Sequence, residues 1–184
     1  MKAGENRAKN ILITGLPGTG KTTVILRLLD LLKGWKLAGF YTQEIREEGE
    51  RKGFRVASLS GGSGTLAHLD LKTGHRVGAY SVDVRAFEEI ALPELHRPCD
   101  AVIIDEIGKM ECFSERFVKA VREALGGPVP LVATVALKGG GFIAQVRSRA
   151  DVEVREVTRA NRDEMPASLR ERLDLLLGPA GKSG

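Results

Sequence analysis

Gly15-Leu16-Pro17-Gly18-Thr19-Gly20-Lys21-Thr22 fills every fixed position of the phosphate-binding loop pattern. A glycine-rich turn of this kind aims backbone N–H groups at phosphate oxygens, and the helix that follows adds the partial positive charge of its N-terminus. Lys21 is placed to reach the outer phosphates, and the Thr22 hydroxyl to ligate Mg²⁺. The flanks match what the motif requires. Asn10-Ile-Leu-Ile-Thr14 is a short apolar run suited to a buried parallel strand, and Val24, Ile25, Leu28, Leu29 and Leu32 then recur at helical spacing.

Two further continuous apolar runs, Ala101 to Asp105 and Leu131 to Val135, lack the alternation of a half-solvated strand. Each belongs inside a sheet covered on both faces. Between them Phe117, Val118, Val121 and Leu125 form a helical stripe, with Ser114 as its N-cap. Pro166 fits the first turn of a last helix whose face is Leu169, Leu173, Leu176 and Leu177. The pattern is α/β: a mostly parallel sheet with helices on both faces and the loop-bearing strand first.

Residues 39–84 break the alternation of strands and helices. Phe40–Arg46 and Phe54–Leu59, on either side of 47–53, read as a β-hairpin, and Arg76–Val82 as a third strand. These strands extend the sheet antiparallel at one edge. Ser60-Gly-Gly-Ser-Gly64 reads as a flexible connection, because no Lys follows to make it a second phosphate cradle. No repeat or linker divides the chain, so residues 1–184 are expected to form one domain, with a polar tail at 1–9.

Composition excludes several function classes. The 184 residues are 42% hydrophobic and 28% charged, as in ordinary globular proteins, and no apolar run approaches a membrane span. The polar N-terminus lacks the apolar core of a signal peptide, so the expectation is a cytoplasmic protein without a membrane partner. Cys99 and Cys112 have no ligand-spaced neighbours, and His68, His75 and His96 are scattered. Any metal is therefore expected with the nucleotide. The net charge of +4 is interspersed with acids, and no basic run or aromatic strand surface marks a nucleic-acid groove. Scarce Gln, Cys and Met hint at a thermophilic source.

What becomes of the phosphate is decided elsewhere in the chain. Val102-Ile103-Ile104-Asp105 is an apolar strand ending in Asp, the pattern that helps hold Mg²⁺ opposite a phosphate loop. Glu106, directly after it, is placed to orient or deprotonate a water at the γ-phosphate. Lys109 reads equally as a cation for the developing charge or as an exposed loop lysine. Thr134 reads as a γ-phosphate contact or a core hydroxyl. A nucleotide or nucleoside kinase shares these parts, but an acid beside the strand-end Asp suits water activation better; a nucleotide-driven switch is a third reading.

Asp105-Glu-Ile-Gly-Lys-Met-Glu111, with Phe113-Ser114 just beyond, resembles the signature of the small P-loop nucleoside-triphosphatases, the family of cancer-related nucleoside-triphosphatase and its thermophile relatives. The resemblance extends through Gly39-Phe-Tyr-Thr42, Glu44, Arg46, Gly53-Phe54, Leu59-Ser60, Arg76-Val-Gly78, Ala91-Leu-Pro93, Lys138-Gly139 and Asn161-Arg162. It implies a RecA-like sheet and Mg²⁺-dependent hydrolysis of nucleoside 5′-triphosphates (ATP, GTP, CTP, UTP and TTP) with little base preference. It also implies a nucleotide site built from Gly15–Thr22 and from Val102, Ile103, Ile104, Asp105, Glu106, Ile107, Gly108 and Lys109. Asn161 and Arg162 would lie near the base or ribose, or else cap a helix. Oligomeric state is left open, with a monomer favoured.

Overall fold

The computed structural model describes residues 8–178. Five parallel-paired segments form its centre. Strand β1 (Asn10–Thr14) lies between β8 (Leu131–Val135) and β9 (Val152–Glu156). Beyond β8 come β7 (Ala101–Ile107) and the first residues of β2 (Leu37–Glu47), all parallel. β3 (Glu50–Ser58), β4 (Ser63–His68), β6 (Tyr80–Val82) and β5 (His75–Val77) then continue the sheet antiparallel. The nine strands run in the order β5-β6-β4-β3-β2-β7-β8-β1-β9.

Strand alternation sorts side chains onto the two faces. Ile11, Ile13, Ile103 and Val132 pack on α1 (Lys21–Leu31) and α5 (Met165–Leu177) through Val24, Ile25, Leu28, Leu169 and Leu173. Leu12, Ile104 and Ala133 face the other way. They meet α2 (Val84–Leu95), α3 (Glu115–Gly126) and α4 (Gly141–Arg147) through Phe87, Ala91, Phe117, Val121, Ile143 and Val146. Two covered faces explain the unbroken apolar runs. The Ser114 Oγ accepts from the Phe117 N–H at 2.9 Å, the expected cap of α3, and Pro166 lies in the first turn of α5.

Several expectations need correction. The hairpin turn is shorter than 47–53: Glu48 and Gly49, both at positive φ, reverse the chain between β2 and β3. Ser63 and Gly64 are not a loose connection but the start of β4, held on β3 at Ala57 and Val56. The single strand at 76–82 is a small hairpin, β5 and β6, turned at Gly78-Ala79. β9 escaped sequence reading because it is a half-exposed edge of alternating Val and charge. On α5, Leu177 is 43% exposed and lies off the buried face.

Of the polar tail expected at 1–9, residues 1–7 lie outside the described residues. Ala8 is buried and its carbonyl accepts from Arg172, while the Lys9 ammonium donates to the Gly127 carbonyl. Among the described residues, no helix is long and apolar enough to cross a membrane.

Candidate active site

The C-terminal ends of β1, β2, β7 and β8 converge on a cleft of about 870 Å³. Ligands of open α/β sheets bind at this edge. The Gly15–Thr22 loop forms one wall. Gly15 is packed so tightly against β9's exit that a Cβ there would lie 2.5 Å from the Val157 carbonyl oxygen; only glycine fits. Gly20, in the left-handed conformation, caps α1 and turns its first N–H groups toward the loop. Lys21 Nζ donates to the carbonyls of Gly15 and Leu16 at 3.0 and 3.1 Å, so its ammonium lies inside the curl of the loop.

Opposite stands the tip of β7. Asp105 is 1% exposed, and its Oδ1 accepts from the Thr134 hydroxyl at 2.6 Å. Burial pushes its carboxyl pKa up; hydrogen bonds from Thr134, Thr22 and the Thr42 backbone, and the Lys21 charge, pull it back. Its Oδ2 is buried without a hydrogen-bond partner among the described residues. Glu106 follows, half-buried, with its pKa raised by burial and by the Asp105 charge against the pull of Lys21. Two carboxylates and an ammonium therefore share one cleft with the loop.

The other expected site residues divide. Val102, Ile103, Ile104 and Ile107 are core residues; they aim Asp105 and Glu106 but do not line the cleft. Gly108 is buried behind them. Lys109 lies on a separate cavity of about 520 Å³ with Arg76, Phe113 and Phe142, because the turn after β7 carries it away from the loop. Thr134 is fully buried as the core hydroxyl that holds Asp105. Asn161 shapes the turn before α5: its Oδ1 accepts from the Thr158 N–H and its Nδ2 donates to the Glu156 carbonyl. Arg162 stacks its Cδ beside Gly20, within 3.5 Å of where a Cβ there would sit.

Sequence reading gave no site role to Thr42, Gln43, Glu44 and Phe54, nor to Ala136, Leu137 and Lys138, yet all seven line the cleft. The signal was β2's pairing. Phe40 lies opposite Ile104 on β7, so the residues just beyond Phe40 stand beside Asp105 and Glu106. That register is a long-range fact invisible in a local pattern.

The model of the NTPase family matches residues 10–169, which include the loop, the β7 tip and the Asn161 turn. The chain belongs to this NTPase family. Its curated relatives include the mouse cancer-related nucleoside-triphosphatase homolog, 42% identical over 179 residues, with 86% of this chain and 93% of the relative covered. The nucleoside-triphosphatase THEP1 of a Thermotoga species is 42% identical over 158 residues, covering 84% of this chain and 90% of its own. Among solved structures, THEP1 from the hyperthermophile Aquifex aeolicus superposes with a TM-score of 0.82 at 33% identity, over 90% of this chain and 99% of that one. This NTPase thus shares its α/β fold, a sheet parallel at its centre and antiparallel toward one edge, with THEP1 from Aquifex aeolicus.

Proposed function

We propose that this NTPase hydrolyses nucleoside 5′-triphosphates to the diphosphate and phosphate, with Mg²⁺ bound alongside the nucleotide. The observation that carries the reading is Asp105-Glu106 at the end of β7, facing Lys21 and the loop across one cleft. The loop amides, the α1 N-terminus and Lys21 would grip the β- and γ-phosphates. Glu106 would hold and deprotonate the attacking water, its raised pKa bringing it closer to the working pH of a general base. Thr134 would keep Asp105 aimed at the cleft.

The residues present fit Mg²⁺. The Thr22 hydroxyl and Asp105 both line the cleft and offer oxygen, and the unpartnered Asp105 Oδ2 is a ligand atom without other employment. Bound there, the ion would neutralise charge spread over the phosphate oxygens. Low base selectivity is supported by Asn161, whose side-chain amide is spent on the turn at both ends.

The test is Glu106→Gln with phosphate release measured across the common triphosphates, Mg²⁺ present and no acceptor added. Turnover should fall by about 10²–10⁴-fold while nucleotide binding persists. Full turnover in that variant, or phosphoryl transfer to an added nucleoside or monophosphate acceptor, would overturn the assignment.

A further inference from the structure

The carboxyl of Glu111 lies beside the catalytic pair and has no part in the chemistry above. It opens a short 3₁₀ turn, Glu111–Phe113, that follows β7, and is 5% exposed. Its Oε2 accepts from the Gly108 N–H at 3.1 Å, and the Cys112 N–H donates to the Gly108 carbonyl at 3.1 Å. Gly108 is thus gripped from both of its peptide groups. A Cβ on Gly108 would sit 2.8 Å from Glu111 Oε2 and 3.4 Å from Glu106 Cδ. The glycine is therefore the thin wall between two carboxyl groups, one in the cleft and one behind it.

We infer that Glu111 is a positioning residue for hydrolysis, which holds the Gly108 amide and through it the turn that sets Glu106 against the attacking water. The inference rests on the reading of Glu106 as the base. It also accounts for the spacing of Asp105-Glu-Ile-Gly-Lys-Met-Glu111, since the first Glu, the Gly and the last Glu form one stack.

The charge state of Glu111 follows from its surroundings. Among the described residues no Lys, Arg or His pairs with it, so burial, with the charges of Glu106 and Asp105 from β7, pushes its carboxyl up to about 8. In its own turn the Cys112 thiol is pushed up to about 12 and stays neutral. α2 brings Glu88 to the end of this turn, where the Ser114 hydroxyl and Arg116, both at the head of α3, engage it. At neutral pH Glu111 is thus a neutral acceptor. On ionising it would add a negative charge behind Glu106, at the back of the cleft that a triphosphate must enter.

The experiment measures phosphate release from ATP at saturating Mg²⁺ between pH 6 and 10 for wild type, Glu111→Gln, Glu111→Ala and Glu106→Gln. In wild type, kcat/KM should fall on the alkaline side with a midpoint at about 8. Glu111→Gln keeps an oxygen for Gly108 and cannot ionise, so it should retain kcat at pH 7 within about threefold and lose that alkaline fall. Glu111→Ala should lower kcat about tenfold or more with KM within about threefold, because the loop still holds the nucleotide. A merely structural Glu111 would not move the pH profile. Wild-type kcat in Glu111→Ala, or an unchanged alkaline fall in Glu111→Gln, overturns the proposal. If Glu111→Ala does not fold by circular dichroism, the Glu111→Gln profile alone decides. Turnover retained in Glu106→Gln removes the base assignment and this inference with it; loss there beside unaltered Glu111 variants removes this inference only.

Discussion

β1 and β8 are buried at all five of their positions, whereas the β2–β3 hairpin changes character along its length. Its base is core: Phe40 and Val56 are fully buried. Its far end, from Glu44 to Arg51, is exposed and held by ion pairs among Glu44, Arg46 and Arg51. One continuous sheet thus contains two kinds of stability. Where helices cover both faces, apolar burial at about 25 cal/mol per Å² does the holding. Where the hairpin leaves that cover, charged side chains in solvent contribute little per pair. The chemistry follows the same division, because Asp105 and Glu106 stand on the covered part while Glu44 and Phe54 reach the cleft from the hairpin.

The severest test of this asymmetry is Phe117→Ala. Phe117 is fully buried and packs edge-on against Phe87 and Phe40 at centroid distances of 5.1 and 5.8 Å. It ties α3 to α2 and to the base of β2. Truncation should cost about 3–5 kcal/mol, read as a fall in the chemical-denaturation midpoint. A loss below about 1 kcal/mol would mean that the covered half is not where stability resides.

Glu94 sharpens the comparison because it sits at the joint between the two halves. It is 2% exposed on α2 and accepts from the Gly39 N–H of β2 at 3.0 Å, from the Ser60 hydroxyl in the β3–β4 turn, and from Arg97 at 3.3 Å. Glu94→Ala strands the Gly39 amide in the core and frees the turn, a cost of about 2–3 kcal/mol by denaturation. Glu94→Gln, which keeps an acceptor oxygen, should lose less. Equal losses in the two variants would show that charge, not the acceptor, matters at this joint.

The same division decided what could be read in advance. The loop and its flanking strand were legible because motif, apolar run and helix spacing are all local. Asp105 was legible for the same reason. β4 was hidden because Ser63-Gly64-Thr65 looks like a linker until β3 supplies its partner. The cleft wall at Thr42–Glu44 depends on the β2–β7 register, and the position of Lys109 on the direction of a turn. Neither is encoded within a few residues. Thr134, ambiguous by sequence, lies fully buried with its hydroxyl on Asp105 at 2.6 Å.

The smallest effect belongs to the hairpin's exposed end. Arg51 donates to Glu44 at 2.9 Å and to the Tyr80 hydroxyl at 3.1 Å, and its guanidinium lies 5.3 Å from the Phe54 ring centroid. Arg51→Ala should nevertheless cost no more than about 1 kcal/mol at pH 7, because both partners of the ion pair are over a third exposed. Its pH dependence has a definite sign. Hydrogen bonds from Arg51 first, then Arg46, hold the Glu44 carboxyl below its ordinary 4.5. A lowered folded-state pKa contributes stability that is present above the unfolded value and lost as pH falls through the folded one. The ion-pair share of the Arg51→Ala deficit should therefore persist from pH 7 to about 5 and shrink below about 4.5, leaving the ring contact and the Tyr80 hydrogen bond. Denaturation midpoints of wild type and variant compared at pH 7 and in acid would read this directly. A deficit matching that of Phe117→Ala, or one that grows in acid, would break the distinction between the covered sheet and its exposed hairpin.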